Sequence, residues 1–229
     1  EQVVQRVLSR ERTKGIYTGF KSFDDKSHGF ARGNFLGIAS HYKGGKSMLA
    51  YRMALNMYEL GYNVLYIPLE MSDGEAAERH LSSISGVPVE KLRAANFSAF
   101  EEKTIMKKYI EFEQRHKSAG NRFSMQAMSS VSPTGVEARF RSFKYDAIFL
   151  DYINLMDTSR GEKNLRDHER INILGRELKQ TASKLNALIV ALTQLDENTG
   201  DLRYSKALKE HCNNVWTWMY KEEQRTTNI

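Results

Sequence analysis

The chain has 229 residues, of which 41% are hydrophobic and 27% charged, and a formal net charge of +6. This is the composition of an ordinary globular chain, long enough for one large domain or two small ones. Its longest apolar runs are strand-sized, far short of the ~20 residues that span a bilayer. A single cysteine, Cys212, excludes an internal disulfide framework and a cysteine-cluster metal site. The opening residues Glu1–Arg6 lack the apolar run of a secretory leader, so a cytoplasmic setting without a membrane partner is expected. The positive excess suits a polyanion such as DNA or RNA, and equally a solvated basic surface.

In chain order, residues 1–14 read as a short helix running into a basic linker. Val3, Val4, Val7 and Leu8 form its stripe, and Arg10, Arg12 and Lys14 follow. One short helix is not stable alone, so the stripe should dock on its own domain or on a neighbouring subunit. Residues 15–33 read as turns around a short element, Phe20–Asp25. Asn34–Ser40 is an apolar strand, and Lys46–Leu60 a helix with Met48, Leu49, Met53, Ala54 and Met57 on one face, stopped by Gly61. Asn63–Leu69 is a second strand. Ser72, with Glu75 at the capping-box position, opens a helix to about Ser85. Glu90–Ala95 and the charged Ala99–Lys117 are further helices, and Arg122–Gln126 suits a third strand. Pro133–Phe143 is a helix with proline in its first turn. Asp146–Leu150 is a strand, and Asn164–Asn186 a long helix with Leu165, Ile171, Leu174, Leu178 and Leu185 inward. Leu188–Thr193 is a strand, Tyr204–His211 a helix and Val215–Tyr220 a last strand. Strands alternating with helices predict an α/β fold with a mainly parallel sheet covered on both faces. Such sheets bind ligands at the carboxyl ends of their strands.

The polar residues that follow strands are Ser40–Ser47, Glu70, Asp151 and Gln194. Ser40-His41-Tyr42-Lys43-Gly44-Gly45-Lys46-Ser47, together with Met48, fits a phosphate loop, with serine in place of its first glycine. The glycine pair lets backbone N–H groups face phosphate oxygens, and the following helix adds its N-terminal dipole. Lys46 would bridge the β- and γ-phosphates of a nucleoside triphosphate, and Ser47 would offer its hydroxyl to Mg2+. Asp151, after an apolar strand, suits the second half of such a metal site, and Glu70 suits the base that activates water. Gln194 suits a sensor of the γ-phosphate. Each has a plainer alternative: a loop residue, a helix N-terminal acid, a strand-end amide. Two polar stretches, Thr158–Arg166 with Arg160, Lys163 and Arg166, and Asp196–Arg203 ending in Arg203, could contact a nucleic-acid backbone or be solvated loops. Neither carries the interleaved aromatics of a stacking platform.

The ordered set resembles the RecA-like motor domain of DnaB-type replicative helicases, especially phage versions, from about Gly15 to Tyr220. The resemblance rests on Gly19-Phe20 with Phe23-Asp24 and Gly29-Phe30, the loop Ser40–Ser47, Leu69-Glu70-Met71-Ser72 and Ser85-Gly86-Val87. It continues through Asp151-Tyr152 with Leu155-Met156, Leu192-Thr193-Gln194-Leu195, and Asp201-Leu202-Arg203. It implies a RecA-like ATPase domain over residues 15–229, ATP and Mg2+ as ligands, and Glu70 as the residue that activates water. It also implies a homo-oligomeric ring, usually a hexamer, with single-stranded DNA in its channel. Residues 1–14 would form the linker helix, and primase and a helicase loader would be further partners. The segment after Arg203 departs from the family, placing Lys206 and Lys209 where they could touch phosphates. The family's trans-acting arginine lies on a strand beyond the last one visible here, and Arg225 is a poor substitute. The chain therefore reads as truncated at its C-terminus and without a primase-binding domain. A filament-forming ATPase that pairs or remodels DNA is the alternative, as is a loader or scaffold that binds nucleotide without turnover. Glu70 beside Lys46, Ser47 and Asp151 speaks against the scaffold.

Overall fold

The computed structural model describes residues 15–161, 165–195 and 205–218. The expected linker helix, Lys163, the stretch Asp196–Arg203 and Arg225 lie outside them. Helix α1 (Lys21–Ser27) precedes β1 (Phe35–Ser40), α2 (Lys46–Glu59) and β2 (Val64–Pro68). Three helices follow: α3 (Asp73–Ser85), α4 (Val89–Arg93) and α5 (Ala99–Ser118). Then come β3 (Phe123–Met125), α6 (Pro133–Phe140), β4 (Ala147–Asp151), α7 (Asp167–Leu185), β5 (Leu188–Gln194), α8 (Ser205–His211) and β6 (Asn214–Trp218). The strands form one six-stranded sheet in the order β3-β2-β4-β5-β1-β6, with every pairing parallel.

Side chains alternate across a strand, and here both faces are apolar. Leu36, Ile38, Val64, Tyr66, Phe149, Val190 and Leu192 face α1, α2 and the first helices, packing on Ala50, Met53, Ala54 and Met57. Phe35, Leu65, Ile67, Ile148, Leu150, Ile189 and Ala191 face α6, α7 and α8, meeting Val136, Phe140, Ile171, Leu174, Leu178 and Leu208. That two-sided burial is why these strands read as continuous apolar runs. Their polar residues are consequently confined to the ends.

Several boundaries and one face differ from the sequence reading. Met48 is 74% exposed rather than part of the α2 core stripe. At 100° per residue it lies opposite the buried Ala50, Met53, Ala54 and Met57. The long helix begins at Asp167, not Asn164, because Arg166 stands at its N-cap and receives the Glu169 side chain on its backbone N–H at 2.9 Å. Leu165 therefore lies outside the helix. Helix α6 ends at Phe140 and tightens into a 3-10 turn, Arg141–Phe143. The Ser72–Glu75 capping box is present, and Gly61 has the left-handed φ of 95° that a helix-ending glycine supplies. Helix α5 is the expected outer helix, burying only Ile105.

The α3 residue His80 wedges between α2 and α5. Its Nδ1 lies 2.6 Å from the Tyr51 hydroxyl, and its ring stacks on Phe123 and meets Phe112 edge-on. Burial lowers its pKa to about 4, with Glu113 pulling weakly the other way, against about 6.5 for a free imidazole. The folded state therefore holds fewer protons than the unfolded one below pH 6.5, and stability present above that pH is lost toward pH 4. Denaturant unfolding should show His80→Gln losing on the order of 2 kcal/mol less than wild type between pH 7 and pH 4. Identical pH slopes would exclude His80 as the sensitive group.

Candidate nucleotide site at the carboxyl edge of the sheet

Strand β1 carries Ser40 to the edge and α2 starts at Lys46, leaving residues 41–45 as a tight loop. Lys43 and Gly45 both adopt left-handed backbone, with φ of 54° and 83°. The Gly44 N–H donates to the His41 carbonyl at 3.0 Å. A Cβ on Gly44 would stand 2.9 Å from the His41 carbonyl oxygen and 3.0 Å from Ser40 Oγ, so only glycine fits. Such a turn aims successive N–H groups at one point and makes an anion-binding concavity. Ser40, in the first-glycine position, is fully buried and turns its hydroxyl onto the His41 carbonyl at 3.0 Å. Serine is accommodated because the loop supplies that acceptor.

Strand β4 brings Asp151 to the same edge, paired in register with Pro68 of β2. The residue is 5% exposed. Ser47 Oγ donates to Oδ1 at 3.0 Å, and the Tyr66 hydroxyl donates to Oδ2 at 2.7 Å. The Arg79 guanidinium reaches to 3.8 Å of Oδ2 from α3. The Asp151 carbonyl accepts the Leu69 N–H at 2.7 Å, which fixes the start of the exposed Glu70 turn beside it. A hydroxyl and a carboxylate oxygen 3.0 Å apart suit a small hard cation that takes its other ligands from phosphate and water.

Lys46 is 8% exposed and its Nζ lies 5.4 Å from the Tyr152 ring centroid. Burial pulls the ammonium pKa below its usual value, and the attraction of Asp151 and Glu70 opposes this. Burial pushes the Tyr66 hydroxyl well above its usual range, with the Asp151 charge adding to it. Gln194 is the last residue of β5 and stands level with Ser40. One residue back, the Thr193 hydroxyl donates to Asn154 Oδ1 at 3.3 Å. Ser40–Ser47, Glu70, Asp151 and Gln194 thus share one edge. On the loop Tyr42 is 57% exposed, and Met48 in the first turn of α2 faces solvent.

The basic residues do not gather as closely. Arg160 is exposed beside a crevice lined by Ser129, Ser130, Ser132 and Arg139. Arg166 is engaged with Glu169 at 2.7 Å. Lys209 is exposed on α8, which packs against α7 and β1. Lys163, Arg203 and the Lys206 side chain lie outside the described residues. The sequence reading missed Tyr66 and Arg79. Tyr66 sits mid-strand in an apolar run, and only the β2–β4 pairing places its hydroxyl on Asp151; Arg79 needs the packing of α3.

Among the described residues no helix is long and apolar enough to cross a membrane. The family model described as "DnaB-like helicase C terminal domain" matches residues 15–224. A probable plasmid replicative DNA helicase of Chlamydia psittaci is 32% identical over 215 residues, 88% of this chain and 45% of that protein. The replicative DNA helicase DnaB of Helicobacter pylori strain 26695 is 30% identical over 207 residues, 87% of this chain and 41% of that protein. The chain thus spans less than half the length of these relatives. Among solved structures, one ATPase domain superposes with a TM-score of 0.83 at 21% identity, covering 100% of this chain and 84% of that one. A DnaB-like replicative helicase, described with its interactions with primase, superposes with a TM-score of 0.82 at 21% identity, covering 100% of this chain and 57% of that one. The fold is therefore that of RecA-like ATPase domains, and the chain belongs to the DnaB-like helicase C-terminal domain family.

Proposed function

We propose that this domain is the ATP-hydrolysing motor of a replicative ring helicase that moves along single-stranded DNA. The observation that carries the reading is the convergence of Lys46, Ser47, Glu70 and Asp151 at one strand edge, closed by the 3.0 Å contact between Ser47 and Asp151. The loop His41–Gly45 would hold the β-phosphate on backbone N–H groups, and Lys46 would bridge the β- and γ-phosphates. An ammonium whose pKa is lowered by burial gains from an arriving polyanion. Ser47 and Asp151 would hold Mg2+, which when bound offsets the charge on the β- and γ-phosphates. Glu70 would accept the proton of the water that attacks the γ-phosphorus, in line with the departing β-phosphate oxygen. Gln194 would contact the γ-phosphate and pass its presence to the stretch 196–203 that follows β5.

Arg160, Lys163, Arg166, Arg203, Lys206 and Lys209 are the residues proposed to touch the DNA backbone, where Lys and Arg give affinity without sequence preference. For Arg166 this requires release from Glu169. The ring would be a homo-oligomer, a hexamer in this reading, with residues 1–14 gripping the next subunit and residues 15–229 forming the motor. A neighbour would supply the remaining cation of each ATP site. Primase and a helicase loader are the proposed partners, in a cytoplasmic setting. Support comes from the names of the relatives, replicative DNA helicases, and from the structural neighbour described with its interactions with primase.

Lys46→Ala should weaken nucleotide binding roughly a hundredfold. Glu70→Gln should keep binding and lower turnover by about a hundredfold or more. Equilibrium binding with a fluorescent ATP analogue and a phosphate-release assay separate the two; wild-type turnover in Glu70→Gln contradicts the assignment. In the full-length protein, single-stranded DNA should raise ATP turnover, with an apparent DNA affinity that falls steeply with salt. An absence of both stimulation and DNA binding at low salt would favour a protein-remodelling ATPase.

A further inference from the structure

Asp151 is reached from three elements at once: Ser47 of α2, Tyr66 of β2 and Arg79 of α3. A carboxylate turns about a broad, roughly two-fold terminal torsion. A metal-binding carboxylate therefore needs something to fix which oxygen faces the metal. Ser47 cannot do this, because in the reading above its hydroxyl is itself a ligand. We infer that Tyr66 is the positioning residue for Asp151, holding Oδ2 so that Oδ1 is presented beside Ser47. The inference rests on the reading of Asp151 as a metal ligand.

Three observations favour Tyr66 over Arg79 in this role. Its hydroxyl is 2.7 Å from Oδ2, within hydrogen-bonding distance, whereas Arg79 stands at 3.8 Å with a side chain 30% exposed. Tyr66 is 1% exposed, its ring fixed by Tyr51 edge-on at 5.0 Å and Phe149 stacked at 5.9 Å. The donor thus stands on a rigid, two-torsion side chain rather than on a long flexible one. The third is charge. A phenol is neutral when it donates, so it orients the carboxylate without repelling a cation, while a guanidinium in the same place would compete with the metal for the same charge. The partner that orients a metal ligand typically changes metal affinity by about ten- to a hundredfold when removed.

The test is Tyr66→Phe, which deletes one oxygen and keeps the ring. Binding of a fluorescent ADP analogue to the full chain is measured with Mg2+ removed by chelator and then across a Mg2+ titration. The expected result is unchanged Mg2+-free affinity, together with a half-saturating Mg2+ concentration raised about tenfold or more. Arg79→Gln should raise that concentration less than Tyr66→Phe does. A buried tyrosine with a purely structural role would lower the thermal midpoint and Mg2+-free binding together, leaving the Mg2+ midpoint in place, and that outcome overturns the inference. So does an Arg79→Gln effect larger than that of Tyr66→Phe. If wild-type binding is itself indifferent to Mg2+, the reading of Asp151 fails and takes this inference with it. If wild type responds to Mg2+ and Tyr66→Phe matches it, only the role of Tyr66 falls.

Discussion

A parallel sheet buried on both faces leaves its charged residues one place to go. In this chain both sets of alternating positions on the central strands are mostly Leu, Ile, Val, Phe and Ala, with Tyr66 among them, and have almost no exposure. Burying an ionised group there without partners costs several kcal/mol, and an unpaired amide costs less but still counts, so Glu70, Asp151 and Gln194 stand at or just past strand ends. Because all the strands are parallel, those ends lie on one edge. Register then does the fine placement: Pro68 pairs with Asp151, and Ser40 with Gln194 and Trp218. The loop at 41–45, the 3.0 Å contact of Ser47 with Asp151 and Glu70 all meet on that edge.

Two groups of opposite charge, Lys46 and Asp151, are buried at this edge. Burial lowers the pKa of the Lys46 ammonium, and the attraction of Asp151 and Glu70 opposes it. Asp151 is satisfied by a serine, a tyrosine and a more distant arginine. In the proposed reading a metal–nucleotide complex would bring phosphate charge to Lys46 and a divalent cation to Asp151. Under that proposal the edge would be preorganised for its ligand. Helix α3 ties the arrangement to the outer layer, since Arg79 reaches Asp151 while the adjacent His80 bonds Tyr51.

Much of this was legible in the sequence because it rests on local rules. The alternation of apolar runs and helical stripes predicts the sheet and its covering helices, and Gly44-Gly45-Lys46-Ser47 between strand and helix predicts the loop. Glu70 and Asp151 announce themselves as acids after apolar runs. What was hidden depends on tertiary pairing. Tyr66 looks like any core aromatic until β2 is known to lie beside β4, and Arg79 looks like any solvated helix residue until α3 folds over the edge. The errors were also local competitions. Met48 reads as apolar and inward, yet helical phase puts it opposite the stripe, and the Arg166–Glu169 cap starts α7 three residues later than its hydrophobic pattern. The substitution of Ser40 for glycine, which weakens the loop as a pattern, is resolved by a single hydrogen bond to His41.

The central claim is that the phosphate loop and Asp151 form one metal–nucleotide site. Its most direct test is an experimental structure of the protein with a non-hydrolysable ATP analogue and Mg2+. The expected result is phosphate oxygens on the backbone N–H groups of Gly45 and the first turn of α2, Lys46 on the β- and γ-phosphates, and density for the metal between Ser47, Asp151 and the phosphates. A nucleotide bound elsewhere, or a triphosphate on the loop with its metal on the far side from Asp151, would contradict it.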